Sequence, residues 1–294
     1  MVNKNTSKVL SQVLVTGASG VVGIPMTQRL SRENVDYLCV SRSAQSGQVS
    51  WDLNTSPSPS ALEKMRHCQT MIHCAPIWLL TANLALLTDL GVTRLIAFSS
   101  TSVISKTNSK DPQEQKLVRL LAEAEAEIAQ HCKSCDVLFT ILRPSMIYGY
   151  GRDENISRIA GFIRKRGFVV LVGKAGGQRQ PVHADDLVNA VMAVLSSKAA
   201  INKIYNLAGR EALSYRDMVS RIFKGLDIKP VIISLPLGLV RVALRVAAMF
   251  SSFNYSPEMA DRMNQDLVYS NHDAEADFGY CPQSFLIKPE RDLP

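Results

Sequence analysis

Val13-Leu-Val-Thr-Gly-Ala-Ser-Gly-Val-Val-Gly23 is the stretch that decides how this chain folds. Val13–Thr16 are apolar and β-prone and run straight into Gly17, Gly20 and Gly23, and a helical pattern covers Val22–Ser31. Strand, tight turn and helix N-terminus in that order form the cradle that backbone N–H groups offer to the pyrophosphate of a dinucleotide. Gly17 permits the sharp turn, Gly20 a close approach to phosphate, and Gly23 the packing of helix on strand. With Ser19, Val21 and Val22 between them, these glycines are the candidate phosphate loop.

Working outward, strands are expected at Tyr37–Val40, Thr70–Cys74, Arg94–Phe98 and Val137–Leu142, with a charged Ala/Glu-rich helix over Gln113–Gln130. Alternation of strands and helices predicts an α/β fold, a doubly wound parallel sheet of the Rossmann kind covered on both faces. The Ser-rich stretch 41–60 reads as loop around a short Trp51-Asp52-Leu53 element. After Pro144 the rhythm changes to Gly-rich loops, short strands and amphipathic helices. That change predicts a smaller C-terminal α+β substrate lobe over the carboxyl ends of the strands. The expected division is 1–144 with about 182–204 for the dinucleotide domain, and 145–181 with 205–294 for the substrate lobe.

A length of 294 residues, with 46% hydrophobic and 20% charged residues, describes an ordinary globule with an ample core. The net charge of +7 is scattered over the chain, and no nucleic-acid-binding module is recognisable, so attraction to small anions such as nucleotides accounts for it. Cysteines 39, 68, 74, 132, 135 and 281 read as reduced thiols of a cytoplasmic protein. Cys132-Lys-Ser-Cys135 has no second ligand pair at matching spacing, so no metal is expected. The polar amino terminus lacks an apolar signal core. Val231–Phe253 is apolar but interrupted by Pro236, Arg241 and Arg245. A helix over Pro236–Phe253 capping the substrate cleft is the expectation, with shallow docking on a membrane surface as the alternative and a span disfavoured.

The second strand ends in Ser41-Arg42-Ser43. A site selective for NAD places an acid about 20 residues past the glycines, to hold the ribose hydroxyls. No acid stands there. Arg42 between two hydroxyls suits the 2′-phosphate of NADP(H), by charge-assisted hydrogen bonds, and NAD(H) remains the alternative.

With these elements placed, the chain resembles the short-chain dehydrogenase/reductase superfamily, in its extended or atypical branch of NAD-dependent epimerase/dehydratases. The runs that carry the resemblance are Thr16–Gly23, Ile72-His-Cys-Ala-Pro76, Phe98-Ser-Ser-Thr-Ser102, Leu142-Arg-Pro144, Ile147-Tyr-Gly149 and Gln180–Leu187, in the family's order. The resemblance implies roles by position. Asp52 and Leu53 match the turn that holds adenine. Cys74, Ala75 and Pro76 match the backbone beside the cofactor ribose, and Ser99 also falls on the cofactor's side. Thr101 matches the catalytic Ser/Thr, while Pro144 and Tyr148 fall near the nicotinamide. Arg179 and Arg262 match the pair that clamps the diphosphate of a nucleotide-linked sugar. Gly151-Arg-Asp-Glu-Asn155, the Ser-Ser-Thr-Ser run and Arg262-Met-Asn-Gln-Asp-Leu267 resemble a subgroup of bacterial sugar-nucleotide proteins, with Arg152 and Asn155 as substrate contacts. Asn155 as a simple helix N-cap is the competing reading.

The chain departs from the family at its best-known feature. No tyrosine occurs between Tyr37 and Tyr148, so the Tyr-x-x-x-Lys pair, expected near Gln115 or Leu117 and Arg119 or Leu121, is absent. A positioned acid or base contributes typically 10²–10⁴-fold, so slow hydride chemistry survives its loss if another group moves the proton. Lys106, Tyr148 and His183 are the candidates, with His183 read as structural beside Asp185 and Asp186. The stretch between His73 and Ser99 is short for an epimerase and implies an open cleft. Two functions stay open: an oxidoreductase of the epimerase/dehydratase kind, or a non-catalytic NADP(H)-binding sensor or assembly protein. The chain is expected to be a monomer, or a homodimer through the Gln113–Gln130 helix.

Overall fold

The computed structural model describes residues 12–42, 47–236, 238, 240 and 262–294. Its strands are β1 (Val13–Thr16), β2 (Tyr37–Ser41), β3 (Val49–Ser50), β4 (Thr70–His73), β5 (Arg94–Phe98), β6 (Leu138–Pro144), β7 (Ile147–Tyr148), β8 (Val169–Val172), β9 (Gln178–Arg179), β10 (Val182–His183), β11 (Lys203–Leu207), β12 (Leu213–Ser214) and β13 (Ile232–Leu235). Its helices include α1 (Gly23–Arg32), α2 (Pro59–Met65), α3 (Trp78–Thr81), α4 (Leu84–Asp89), α5 (Ser102–Ser105), α6 (Pro112–Ser134), α7 (Ile156–Arg166), α8 (Ala184–Ser196) and α9 (Tyr215–Gly225).

Seven strands make one sheet in the order β11-β6-β5-β4-β1-β2-β3, every neighbouring pair parallel. Burial on both faces explains why its strands read as apolar runs rather than alternating ones. Side chains still alternate between two cores. Leu14, Met71, Leu95 and Ile141 face the layer of α2 to α6, while Val13, Val15, Ile72, Ile96 and Leu142 face the opposite layer, where Met26 of α1 and Val191 of α8 pack. The strand order reverses between β1 and β4, which opens a crevice at their carboxyl ends.

Local chemistry sets the helix starts. Asp111 caps α6 by accepting the Gln113 N–H at 2.8 Å, with Pro112 in the first turn. His183 does the same for α8, its Nδ1 accepting the Asp185 N–H at 3.0 Å while Asp185 and Asp186 lie in the first turn. The second lobe has its own core, in which Ile156 and Ile163 of α7 meet Met218, Ile222 and Phe223 of α9.

Two expectations are revised, and one segment gains detail. The stretch 41–60 is not all loop, because Val49–Ser50 pairs with β2 and Ser58 caps α2. The segment between His73 and Ser99 holds two short helices, α3 and α4. The sheet extends past residue 204 to Leu207, and His272–Phe278 returns to it, with Ala274 and Tyr280 in the core beside α8. The expected Pro236–Phe253 helix lies outside the described residues apart from positions 236, 238 and 240. Among the described residues no helix is long and apolar enough to cross a membrane.

Candidate functional site

At the β1/β4 crevice, a cavity of about 630 Å³ is lined by Gly17, Ser19, Gly20, Ser41, Arg42, Asp52, Leu53, Cys74, Ala75 and Pro76. Trp51, Asn54, Val40 and Leu79 complete its wall. Gly17 has φ +69°, and a Cβ there would stand 2.5 Å from the Ala75 backbone nitrogen, so the β1 and β4 turns touch. His73, fully buried, joins them. Its Nδ1 accepts the Thr16 hydroxyl at 2.7 Å and its Nε2–H donates to the Pro76 carbonyl at 3.2 Å. Burial lowers the imidazole pKa to about 4, so the ring is neutral.

These residues fit a dinucleotide. Helix α1 starts with no side-chain cap and no acid in its first turn, leaving its positive end for an anion. Asp52 is held below the usual carboxylate range, first by the Asn54 N–H and side chain, against which desolvation works, and then by the charge of Arg42. Asn83, buried between α3 and α4, donates to the Leu53 carbonyl at 2.8 Å and so fixes that turn. Burial pushes the Cys74 thiol up to about 12, making it a wall rather than a nucleophile.

Other expected contacts fall elsewhere. Val21, Val22 and Gly23 do not line the cavity: Val22 is core, and a Cβ on Gly23 would strike the Gly17 carbonyl, so this glycine closes the turn on itself rather than packing helix on strand. Ser43 lies outside the described residues. Ser99 and Pro144 are also absent from the lining. The Ser99 hydroxyl donates to Glu125, and the Pro144 carbonyl accepts both the N–H and the hydroxyl of Thr101, at 3.0 and 3.2 Å.

A second cavity, of about 460 Å³, lies between the sheet's carboxyl edge and the second lobe. Thr101, Lys106, Asn155, Arg179, Tyr215, Arg262 and Tyr269 are in its lining, so residues expected to be catalytic and substrate-binding do meet there. Their chemistry differs from expectation. The Thr101 proton is engaged by Pro144. Lys106 is ion-paired with Glu114 at 3.0 Å. Arg179 is 4% exposed, and its guanidinium donates to the carbonyls of Gln178, Gln265 and Arg262, so it anchors the 262–267 segment rather than standing free for a diphosphate. Asn264 and Asp266 add to this seam by bonding Val172, Ala175 and Gln178.

Tyr148 is corrected outright. Its ring is 1% exposed, packed edge-on to His183 and Phe285, and its hydroxyl accepts the Leu286 N–H at 2.9 Å. Burial raises its pKa above the ordinary tyrosine range, and it lines neither cavity, so it is core. Arg152 is exposed and outside the lining. Asn155 occupies the N-cap position of α7 without capping it, since Asp153 accepts the Asn155 and Ser157 N–H groups instead. His183 is structural: its Nε2–H donates to Asp292 at 3.0 Å.

Sequence reasoning missed Glu125, His73, Asn83 and Glu114. Glu125, 4% exposed on α6, receives Ser99 and the Arg143 guanidinium, tying the β5 and β6 ends to the helix. Where the tyrosine and lysine were expected on that helix, Gln115 and Arg119 are exposed, Leu117 packs against the core and Leu121 lies in it.

Over residues 78–208 the chain matches the NAD dependent epimerase/dehydratase family. An uncharacterized protein of Sinorhizobium fredii, y4nG, is 22% identical over 184 residues, 63% of this chain and 46% of that protein, so the chain spans less than half of its length. The UDP-glucose 4-epimerase of Vibrio cholerae is 22% identical over 318 residues, covering 95% of this chain and 93% of that enzyme. The solved UDP-glucuronic acid 4-epimerase from Bacillus cereus, in complex with NAD, superposes with a TM-score of 0.74 at 16% identity, covering 96% of this chain and 97% of its own. The resemblance to NAD-dependent epimerase/dehydratases and the doubly wound fold are thereby borne out.

Proposed function

We propose that this chain is an NAD(P)-dependent enzyme of the epimerase/dehydratase kind that acts on a nucleotide-linked sugar, with NADP(H) as its preferred coenzyme. The observation that carries the reading is the crevice at the β1/β4 reversal, where Gly17, Gly20, Arg42, Asp52 and Cys74–Pro76 line one cavity beside the Thr101 cleft. When bound, the coenzyme supplies or takes a hydride at its nicotinamide. The chain's own residues do the rest. The α1 N-terminus and Gly20 face the pyrophosphate, Arg42 the 2′-phosphate, and the Asp52–Leu53 turn the adenine. Thr101 orients the reacting oxygen and Arg262 the diphosphate, with Asn155 at the cleft wall. A proton is moved by Lys106 once Glu114 releases it. The Vibrio cholerae enzyme's name supports a uridine-linked sugar. A cytoplasmic location belongs to the same reading.

Two observations favour variants of it. The Bacillus cereus structure contains NAD, which favours NAD(H) as coenzyme. The engagement of Thr101 with Pro144, and of Lys106 with Glu114, favours a protein that binds coenzyme without turnover. One experiment separates them. Calorimetric titration of the parent protein and Arg42→Ala with NADP(H) and NAD(H) should show about tenfold weaker NADP(H) binding in the variant and little change for NAD(H). Unchanged NADP(H) affinity overturns the coenzyme preference. A scan of sugar nucleotides for nicotinamide absorbance change, at high protein concentration, decides catalysis; silence from all of them leaves the binding-only protein.

A further inference from the structure

Glu114 stands in the first turn of α6 at the rim of the substrate cleft, its side chain 12% exposed. The Ser109 hydroxyl donates to its Oε2 at 2.7 Å, Lys106 Nζ lies 3.0 Å from its Oε1, and the Arg262 guanidinium closes on that same oxygen. Desolvation works against its charge, yet Ser109, Lys106 and Arg262 together hold the carboxyl below its ordinary range. Lys106 and Arg262 line the substrate cavity and also an adjoining polar cavity of about 430 Å³, which adds Ser109, Lys110 and Gln265. Arg179 holds the Arg262 main chain in place through its carbonyl. Two cations from distant segments that line the cleft therefore converge on one carboxylate in the adjoining cavity, at the shared rim, and that carboxylate carries the charge of the oxyanion a substrate would bring there.

We infer that Glu114 sets the charge selectivity of the cleft: its carboxylate is an internal counter-ion in the place where an oxyanion of the substrate pairs with Lys106 and Arg262. The inference rests on the substrate-cleft reading above. With Glu114 ionised, the three side chains sum to +1; with it neutralised they sum to +2, and a bound oxyanion no longer competes for its cations. At separations of a few ångströms near a surface, one unit of charge changes anion affinity by roughly tenfold at low salt, less at high salt.

Glu114→Gln keeps the shape and the Ser109 contact while removing the charge. Titrations of the full chain with inorganic pyrophosphate, UDP-glucose and UDP-glucuronic acid, at low and high salt, should show roughly tenfold tighter binding in this variant, with the gain shrinking as salt rises. Glu114→Asp, which retains the charge, should stay within about twofold of the parent. An equal gain for the two sugar nucleotides assigns the displaced position to the diphosphate, and a larger gain for UDP-glucuronic acid assigns it to the sugar carboxylate. Unchanged or weaker anion binding in a folded Glu114→Gln overturns the inference. Coenzyme titration of the same samples keeps the two readings apart. Failure of the parent to bind coenzyme defeats the functional proposal, whereas intact coenzyme binding with unaltered anion affinity defeats only the role of Glu114.

Discussion

The crevice proposed for the coenzyme and the cleft proposed for the substrate open at neighbouring strand ends but are made of different material. The crevice is backbone: two turns in contact at Gly17 and Ala75, with few charges, each turn a short local motif brought to the other by the pairing of β1 with β4. The cleft is side chain: Lys106 and Arg262 share the Glu114 carboxylate, and the Arg179 guanidinium is taken up by main-chain carbonyls of a distant segment. The first is set by shape, with Arg42 as its one cation among the described residues. The second is charge-determined, so its reactive groups are held in pairs until something displaces a partner. This contrast teaches that two sites on one sheet edge can fail in different ways.

The largest effect should come from breaking a buried pair that lines neither cavity, the Glu125–Arg143 tie behind them. Glu125→Ala leaves the Arg143 guanidinium without its buried partner and frees Ser99, which should lower stability by about 3–5 kcal/mol in urea unfolding. Coenzyme affinity of the folded fraction should change little; an equal loss there would erase the distinction between the two regions. Next is Gly17→Ala, which puts a methyl group into the Ala75 backbone at a positive φ. Coenzyme binding should fall beyond detection by calorimetry, with about 2–4 kcal/mol lost in stability. Retained binding would show that side chains, not backbone fit, hold the dinucleotide. The smallest effect is expected at Tyr148→Phe, which removes one acceptor for the Leu286 N–H and should cost about 1 kcal/mol. Any turnover found for the parent should persist, and a loss of turnover without a loss of stability would return Tyr148 to the chemistry.

The same contrast explains what could be read in advance. Val13–Thr16 and Arg94–Phe98 were legible to the residue because apolar runs end at turn residues, a local signal. The crevice lining was legible for the same reason, since glycine spacing and the end of the second strand are short-range features. Helix α2 was missed although Ser58 and Pro59 form a helix start, because the surrounding Ser and Pro residues read as loop. The state of Arg179 was not legible at all. Its partners Arg262 and Gln265 lie more than 80 residues away, and whether a guanidinium meets a ligand or a carbonyl depends on tertiary packing. Tyr148 was misjudged likewise, for nothing local says that Phe285 and Leu286 will cover it.

The uncharged imidazole of His73 gives the dinucleotide crevice an acid limit. Its folded-state pKa of about 4 lies below the free value of 6.5, so its contribution is whole above neutrality and is lost as acidity rises through that interval. Once protonated, Nδ1 can no longer accept from Thr16, and the crevice wall loses the side-chain tie that supplements the backbone pairing of β1 with β4.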